Sequence, residues 1–128
     1  MINQAYFQNN ICLLAVLRAF GAQEIFSLPL DYHYFLKLLR RYKDIHCIRI
    51  FSFCLFPASI YLVVGAEHVQ KISCFFESVN TVFCDFVRVR DDSRRDIRIC
   101  RSRIVVLEDD RALIDVMTFV DRLPVKRG

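Results

Sequence analysis

At 128 residues and 15.1 kDa the chain has the size of one ordinary domain, and it is read as a single unit over residues 1–128. Its 55% hydrophobic content against 25% charged residues excludes a disordered chain, and three Gly with three Pro leave no room for a flexible linker. The net charge of +4, with a pI near 8.8, is mildly basic and compatible with a polyanionic partner. The most apolar stretch, Ile50 to Val64, is broken by Pro57 and is too short for a membrane span. No charged segment followed by a clean apolar run opens the chain, so no signal peptide is read. A cytoplasmic protein without membrane attachment is therefore expected.

Ile11 to Leu17 form a continuous apolar run of strand length, which predicts a buried central strand. From Asp31, the residues Tyr34, Phe35, Leu38, Leu39 and Tyr42 recur at three and four, with Lys37, Arg40, Arg41 and Lys43 on the other face. That spacing predicts an amphipathic helix entered at Pro29. His46 to Phe56 is β-branched and aromatic, and Pro57-Ala58-Ser59 separates it from Ile60 to Val64, so the two make a hairpin closed by Gly65. Glu67 to about Phe86 carries a second helical stripe, including Ile72, Phe75, Phe76, Val79 and Phe83. Ile97 to Leu107 returns to strand character. Its apolar parity switches between Ile99 and Ile104, which predicts a bulge near Cys100 to Ser102. Glu108-Asp109-Asp110 caps a last helix that is expected to end before Pro124.

The order β-α-β-β-α-β-α predicts an α/β (α+β) two-layer sandwich of ferredoxin-like type. Its sheet is four-stranded and mostly antiparallel, with helices on a face.

Six cysteines show no C-x-x-C pair and no zinc-finger spacing, and Phe51-Ser52-Phe53-Cys54-Leu55-Phe56 shows one of them in an apolar run. They are read as reduced thiols acting as small core hydrophobes. No Gly-rich phosphate loop is present, and no cofactor is expected.

The order of motifs resembles the single-tyrosine HUH transposases, especially the REP-associated tyrosine transposase branch. Glu24-Ile25-Phe26, Asp31-Tyr32 and Phe35-Leu36-Lys37-Leu38-Leu39 are similar to the family's first-helix segment. His46 to Phe53 is similar to its "lhayvlM" strand, and Leu55 to Val64 stands where members carry "LMPNHVHLLV". Arg101-Ser102-Arg103 resembles the basic motif before the last strand, and Glu108 to Gly128 resembles the segment ending in "NPVrAG".

The resemblance implies a histidine–hydrophobe–histidine pair holding a divalent metal, and a helix tyrosine attacking the scissile phosphate. Here the histidine positions are Ser59 and Tyr61, the Asn before them is Ala58, and the tyrosine position is Phe119. The Asn of "NP" is Leu123. Hydroxyls are poor ligands beside imidazole, and phenylalanine has no nucleophilic oxygen, so no metal site and no catalytic residue are expected.

A relocated pair of Tyr61 with His46 is the remaining catalytic alternative, against a plain reading of both as sheet residues. His33 and His68 read as solvated surface residues, Asp109 and Asp110 as helix caps, and Ser59 as a turn residue.

The positive signal is the segment 88–103. Arg88, Arg90, Arg94, Arg95, Arg98, Arg101 and Arg103 stand against Asp91, Asp92 and Asp96, so this stretch carries the whole net charge. Guanidinium groups pair with phosphates and stack on unpaired bases. The same composition also fits a solvated loop whose arginines pair with its own aspartates or with a neighbouring subunit.

The favoured reading is a catalytically inactive transposase-like domain, a homodimer, binding hairpin or single-stranded DNA rather than RNA through these arginines. The competing readings are a protein-interaction or inhibitor module on the same scaffold and a nuclease with a rewired site.

Overall fold

In the computed structural model, which describes residues 10–90 and 97–127, four strands and three long helices follow the expected order. β1 (Ile11–Ala19) ends in a single 3-10 turn at Phe20–Ala22, where Gly21 takes a positive φ of 77°. α1 (Pro29–Ile45), β2 (Arg49–Phe56), β3 (Ser59–Ala66), α2 (Val69–Arg90), β4 (Ile99–Leu107) and α3 (Asp110–Arg127) complete the chain. The sheet order is β2-β3-β1-β4 and every neighbouring pair is antiparallel. The apolar run Ile11 to Leu17 is thus a central strand, as its composition predicts.

Alternate residues of β1 serve two cores, because side chains alternate across a strand. Leu13, Ala15, Leu17 and Ala19 pack with α1 and α2 through Phe35, Leu38, Leu39, Ile72, Phe75, Phe76, Val79 and Phe83. Phe26, Phe35 and Phe83 meet there at centroid distances of 5.3–5.4 Å. The two helices and the sheet make the two-layer sandwich. Cys12, Leu14 and Val16 face the other way, where Leu113 and Val120 of α3 cover them together with Cys54 and Val63. The C-terminal helix therefore lies across the second face of the sheet.

Several boundaries differ from the sequence expectation. His46 does not begin β2; it caps the C-terminus of α1. Cys47 takes a left-handed φ of 56°, its N–H donates to the Asp44 carbonyl, and Ile48 N–H donates to the Lys43 carbonyl at 2.7 Å. This is a Schellman closure with cysteine where glycine is usual, so the strand starts only at Arg49. The hairpin turn is Pro57-Ala58 alone: Ser59 already pairs with Phe56, and Gly65 is a paired residue within β3 rather than its end. The Pro57 carbonyl accepts N–H bonds from both Ile25 and Phe26, which anchors the segment entering α1.

α2 runs four residues past Phe86, and α3 continues through Pro124 to Arg127, although a proline forfeits one intrahelical bond. Asp109 caps α3 as expected, its carboxylate accepting the Ala112 N–H at 2.8 Å. The cysteines divide unevenly. Cys12 and Cys54 are buried and Cys84 is half-buried, whereas Cys47 in the turn after α1, Cys74 on α2 and Cys100 on the edge strand β4 are exposed.

The predicted bulge is present in β4. Val16 pairs with Arg103 and Leu17 with Arg101, which leaves Ser102 as the extra residue. β2 carries another irregularity, with Phe51 unmatched between Ile50 and Ser52.

Candidate functional site

The positions singled out by the transposase resemblance converge on the second face of the sheet. β3 places Ser59 and Tyr61 two residues apart on that face, and α3 lays Phe119 and Leu123, one turn apart, across it. Tyr61 meets Phe119 edge-on with ring centroids 6.5 Å apart, and Phe56 meets Tyr61 at 5.8 Å. A shallow cavity of about 350 Å³ is bounded by Phe56, Pro57, Ala58, Ser59, Tyr61 and Leu123. The five family positions thus form one cluster, although they come from segments some sixty residues apart.

That cluster does not suit a divalent cation. Its oxygens are one aliphatic hydroxyl and one phenol, and two phenylalanine rings occupy the space around Tyr61. Among the described residues no three His, Cys, Asp or Glu side chains gather as a metal-binding group. The structure also separates the alternative pair. His46 shares a 3.0 Å hydrogen bond with Ser78 of α2 and stacks near Tyr42, on the helical face, while Tyr61 lies on the face covered by α3. His33 and His68 are exposed.

The seven arginines are dispersed. Arg88 lies on α2 and pairs with Asp85 at 2.8 Å, an exposed contact. Arg90, the last residue of α2, turns inward. Its guanidinium donates to the fully buried carboxylate of Asp31 and, at 3.3 Å, to the Ser27 hydroxyl. Arg94 and Arg95 lie outside the described residues, as do Asp91, Asp92 and Asp96. Arg98 is exposed just before β4, and its carbonyl accepts the Phe20 N–H. Arg101 and Arg103 are exposed on β4, and the Ser102 bulge sends them to opposite faces. Arg101 borders a cleft against α2 with Ser73, Glu77 and Asn80.

A further cavity of about 610 Å³ lies at the outer edge of β2, where the sequence analysis names no site. Its wall combines Arg40 and Lys43 of α1, residues 48–53 and Asp121 of α3. The basic face of α1 was its only visible signal.

No family model and no curated protein matches the chain. Solved structures do. The REP-associated tyrosine transposase bound to a REP hairpin superposes with a TM-score of 0.64 at 13% identity, over 100% of this chain and 73% of that one. The "putative transposase" of Deinococcus radiodurans R1 gives a TM-score of 0.55 at 10% identity, over 88% of this chain and 90% of that one. At these identities the likeness is one of architecture: the chain has a transposase-like fold.

Proposed function

We propose that this chain is a transposase-like domain without strand-transfer chemistry that binds nucleic acid, DNA in hairpin or single-stranded form, through the arginines of 88–103. The observation that carries this reading is the Tyr61–Phe119 ring contact, which sets two aromatic rings against each other at positions where the resemblance calls for a metal-binding histidine and a nucleophile. The solved relative in complex with a REP hairpin supports a nucleic-acid role for the scaffold. Arg98, Arg101 and Arg103, exposed at the β4 rim, are the described candidates for phosphate contact, with Arg88 beside them and Arg94 and Arg95 in the intervening segment. Arg90 is committed to Asp31 and serves the fold.

A second reading is favoured by one feature. Ile104 and Val106 of β4 are 42% and 59% exposed next to those arginines, which suits a protein partner or a second copy of the chain. Salt separates the two. Phosphate binding weakens steeply with ionic strength, and apolar docking does not. Hairpin DNA affinity measured at two salt concentrations, wild type beside Arg98→Ala/Arg101→Ala/Arg103→Ala, is expected to lose about one unit of slope per lost contact. Equal slopes would transfer the function to protein docking, and sedimentation across a wide concentration range tests the proposed homodimer.

A further inference from the structure

The β2-edge cavity belongs to neither arrangement above. It lies at the opposite rim of the sheet from β4, three inter-strand spacings away, or about 14 Å. Arg40 and Lys43 border it from α1, and Arg49 borders it from the first residue of β2. Asp121 is the carboxylate in its wall, and it already accepts a 2.6 Å hydrogen bond from the Ser52 hydroxyl. Lys43 has an exposed pairing with Asp44, a contact of the kind that contributes little. The wall is therefore cationic above an apolar floor of Leu36, Leu39 and Ile48. Phe53 presents its ring there at 45% exposure, and the Arg49 guanidinium sits 5.1 Å from the Phe51 ring centroid.

Cations beside an exposed aromatic ring match a ligand that alternates phosphates with flat apolar faces. Single-stranded nucleic acid has that chemistry: its phosphates meet guanidinium and ammonium groups, and its open bases stack on aromatic rings. A duplex keeps its bases stacked inside and offers Phe53 no face. An acidic peptide satisfies the charge, but its natural mode at a sheet edge is strand addition, and the unmatched Phe51 interrupts the hydrogen-bonding ladder at the middle of this edge.

We propose that the β2-edge groove is a second nucleic-acid surface, one that takes a single-stranded segment with a base stacked on Phe53 and phosphates held by Arg40 and Lys43, while Arg49 stays over the Phe51 ring on the opposite face of β2. It shares with the function proposed above the premise of a nucleic-acid ligand but places it at a different rim. One molecule then holds a paired stem at β4 and an unpaired flank at β2.

Fluorescence anisotropy of the full chain with a dT12 oligonucleotide, and separately with a blunt hairpin lacking unpaired flanks, tests this. Phe53→Leu keeps an apolar side chain at a half-exposed position and is expected to weaken dT12 binding by about fivefold or more, leaving the hairpin unaffected. Arg40→Gln/Lys43→Gln is expected to flatten the dT12 salt slope by about 0.7 per lost contact. Arg101→Gln/Arg103→Gln should do the reverse, weakening the hairpin more than dT12.

Unchanged dT12 affinity in both groove variants overturns the proposal. So does a wild-type chain that binds the hairpin and ignores dT12, a result that leaves the β4 surface standing. Groove-dependent dT12 binding with no hairpin binding overturns the β4 surface instead. A poly-glutamate peptide that binds the wild type, loses affinity on Phe53→Leu and leaves dT12 undisturbed makes the groove a peptide dock, and the proposal falls.

Discussion

Arg90 closes α2 onto the first turn of α1 by donating to the carboxylate of Asp31, which has no solvent exposure. The same carboxylate accepts the N–H groups of Ser27 at 2.9 Å and Leu28 at 3.0 Å, so it also satisfies the open amides where α1 begins. The pair further suits the two helix dipoles, an acid at an N-terminus and a base at a C-terminus. Removing the cation strands a buried charge. Arg90→Ala is expected to cost about 3–5 kcal/mol in urea unfolding, and a cycle with Asp31→Asn should show strong coupling between the positions. A cost under about 1 kcal/mol would return Arg90 to the surface arginines.

Cys47 holds a left-handed backbone that an L side chain disfavours by about 1–2 kcal/mol and glycine does not. The side chain is exposed, so its loss removes no core contact. Cys47→Gly is expected to raise stability by about 1 kcal/mol, read as a higher midpoint of chemical unfolding at an unchanged m-value.

Ser52 fixes α3 to β2 through its hydrogen bond to Asp121, across 69 residues of chain. Hydrogen bonds to charged groups contribute about 1.5–3 kcal/mol, and the exposed carboxylate places this one at the low end. Ser52→Ala should cost about 1–2 kcal/mol and speed amide exchange in α3 more than in α2. Uniform exchange across both helices would show that the bond does not tether α3.

Incubation with a single-stranded hairpin substrate and magnesium or manganese is expected to give no nicked product and no covalent protein–DNA adduct on a denaturing gel. The triple change Ser59→His/Tyr61→His/Phe119→Tyr need not restore one, because ligands require a supporting shell that Phe56 and Leu123 do not supply. A phosphotyrosyl adduct on the wild-type chain would contradict the whole reading of the Tyr61 cluster.

Local pattern carried much of this architecture. The parity switch between Ile99 and Ile104 foretold the Ser102 bulge, and the apolar run after Asn10 foretold the central strand. The meeting of Tyr61 with Phe119 was legible only through the family resemblance, since nothing in either segment alone points to the other. What stayed hidden depends on tertiary partners. α2 reaches Arg90 because Asp31, fifty-nine residues earlier, receives its guanidinium. α1 stops at Ile45 through a cysteine in a glycine's conformation. The β2-edge groove is assembled from α1, β2 and α3, and periodicity within any one of them marks only an ordinary solvated face.

The two irregularities at Phe51 and Ser102 fall on β2 and β4, the outermost strands of the sheet. An unbroken rim would offer a template on which another chain could continue the ladder, a hazard for a molecule with mean hydropathy +0.30. An extra residue in mid-strand twists the rim and puts successive hydrogen-bonding groups out of step with any straight incoming strand. Lateral growth of the sheet is thereby discouraged at both ends, which guards against fibres. A symmetric pair of these molecules would have to meet through helices or through the exposed side chains of β4, not by fusing two sheets into one.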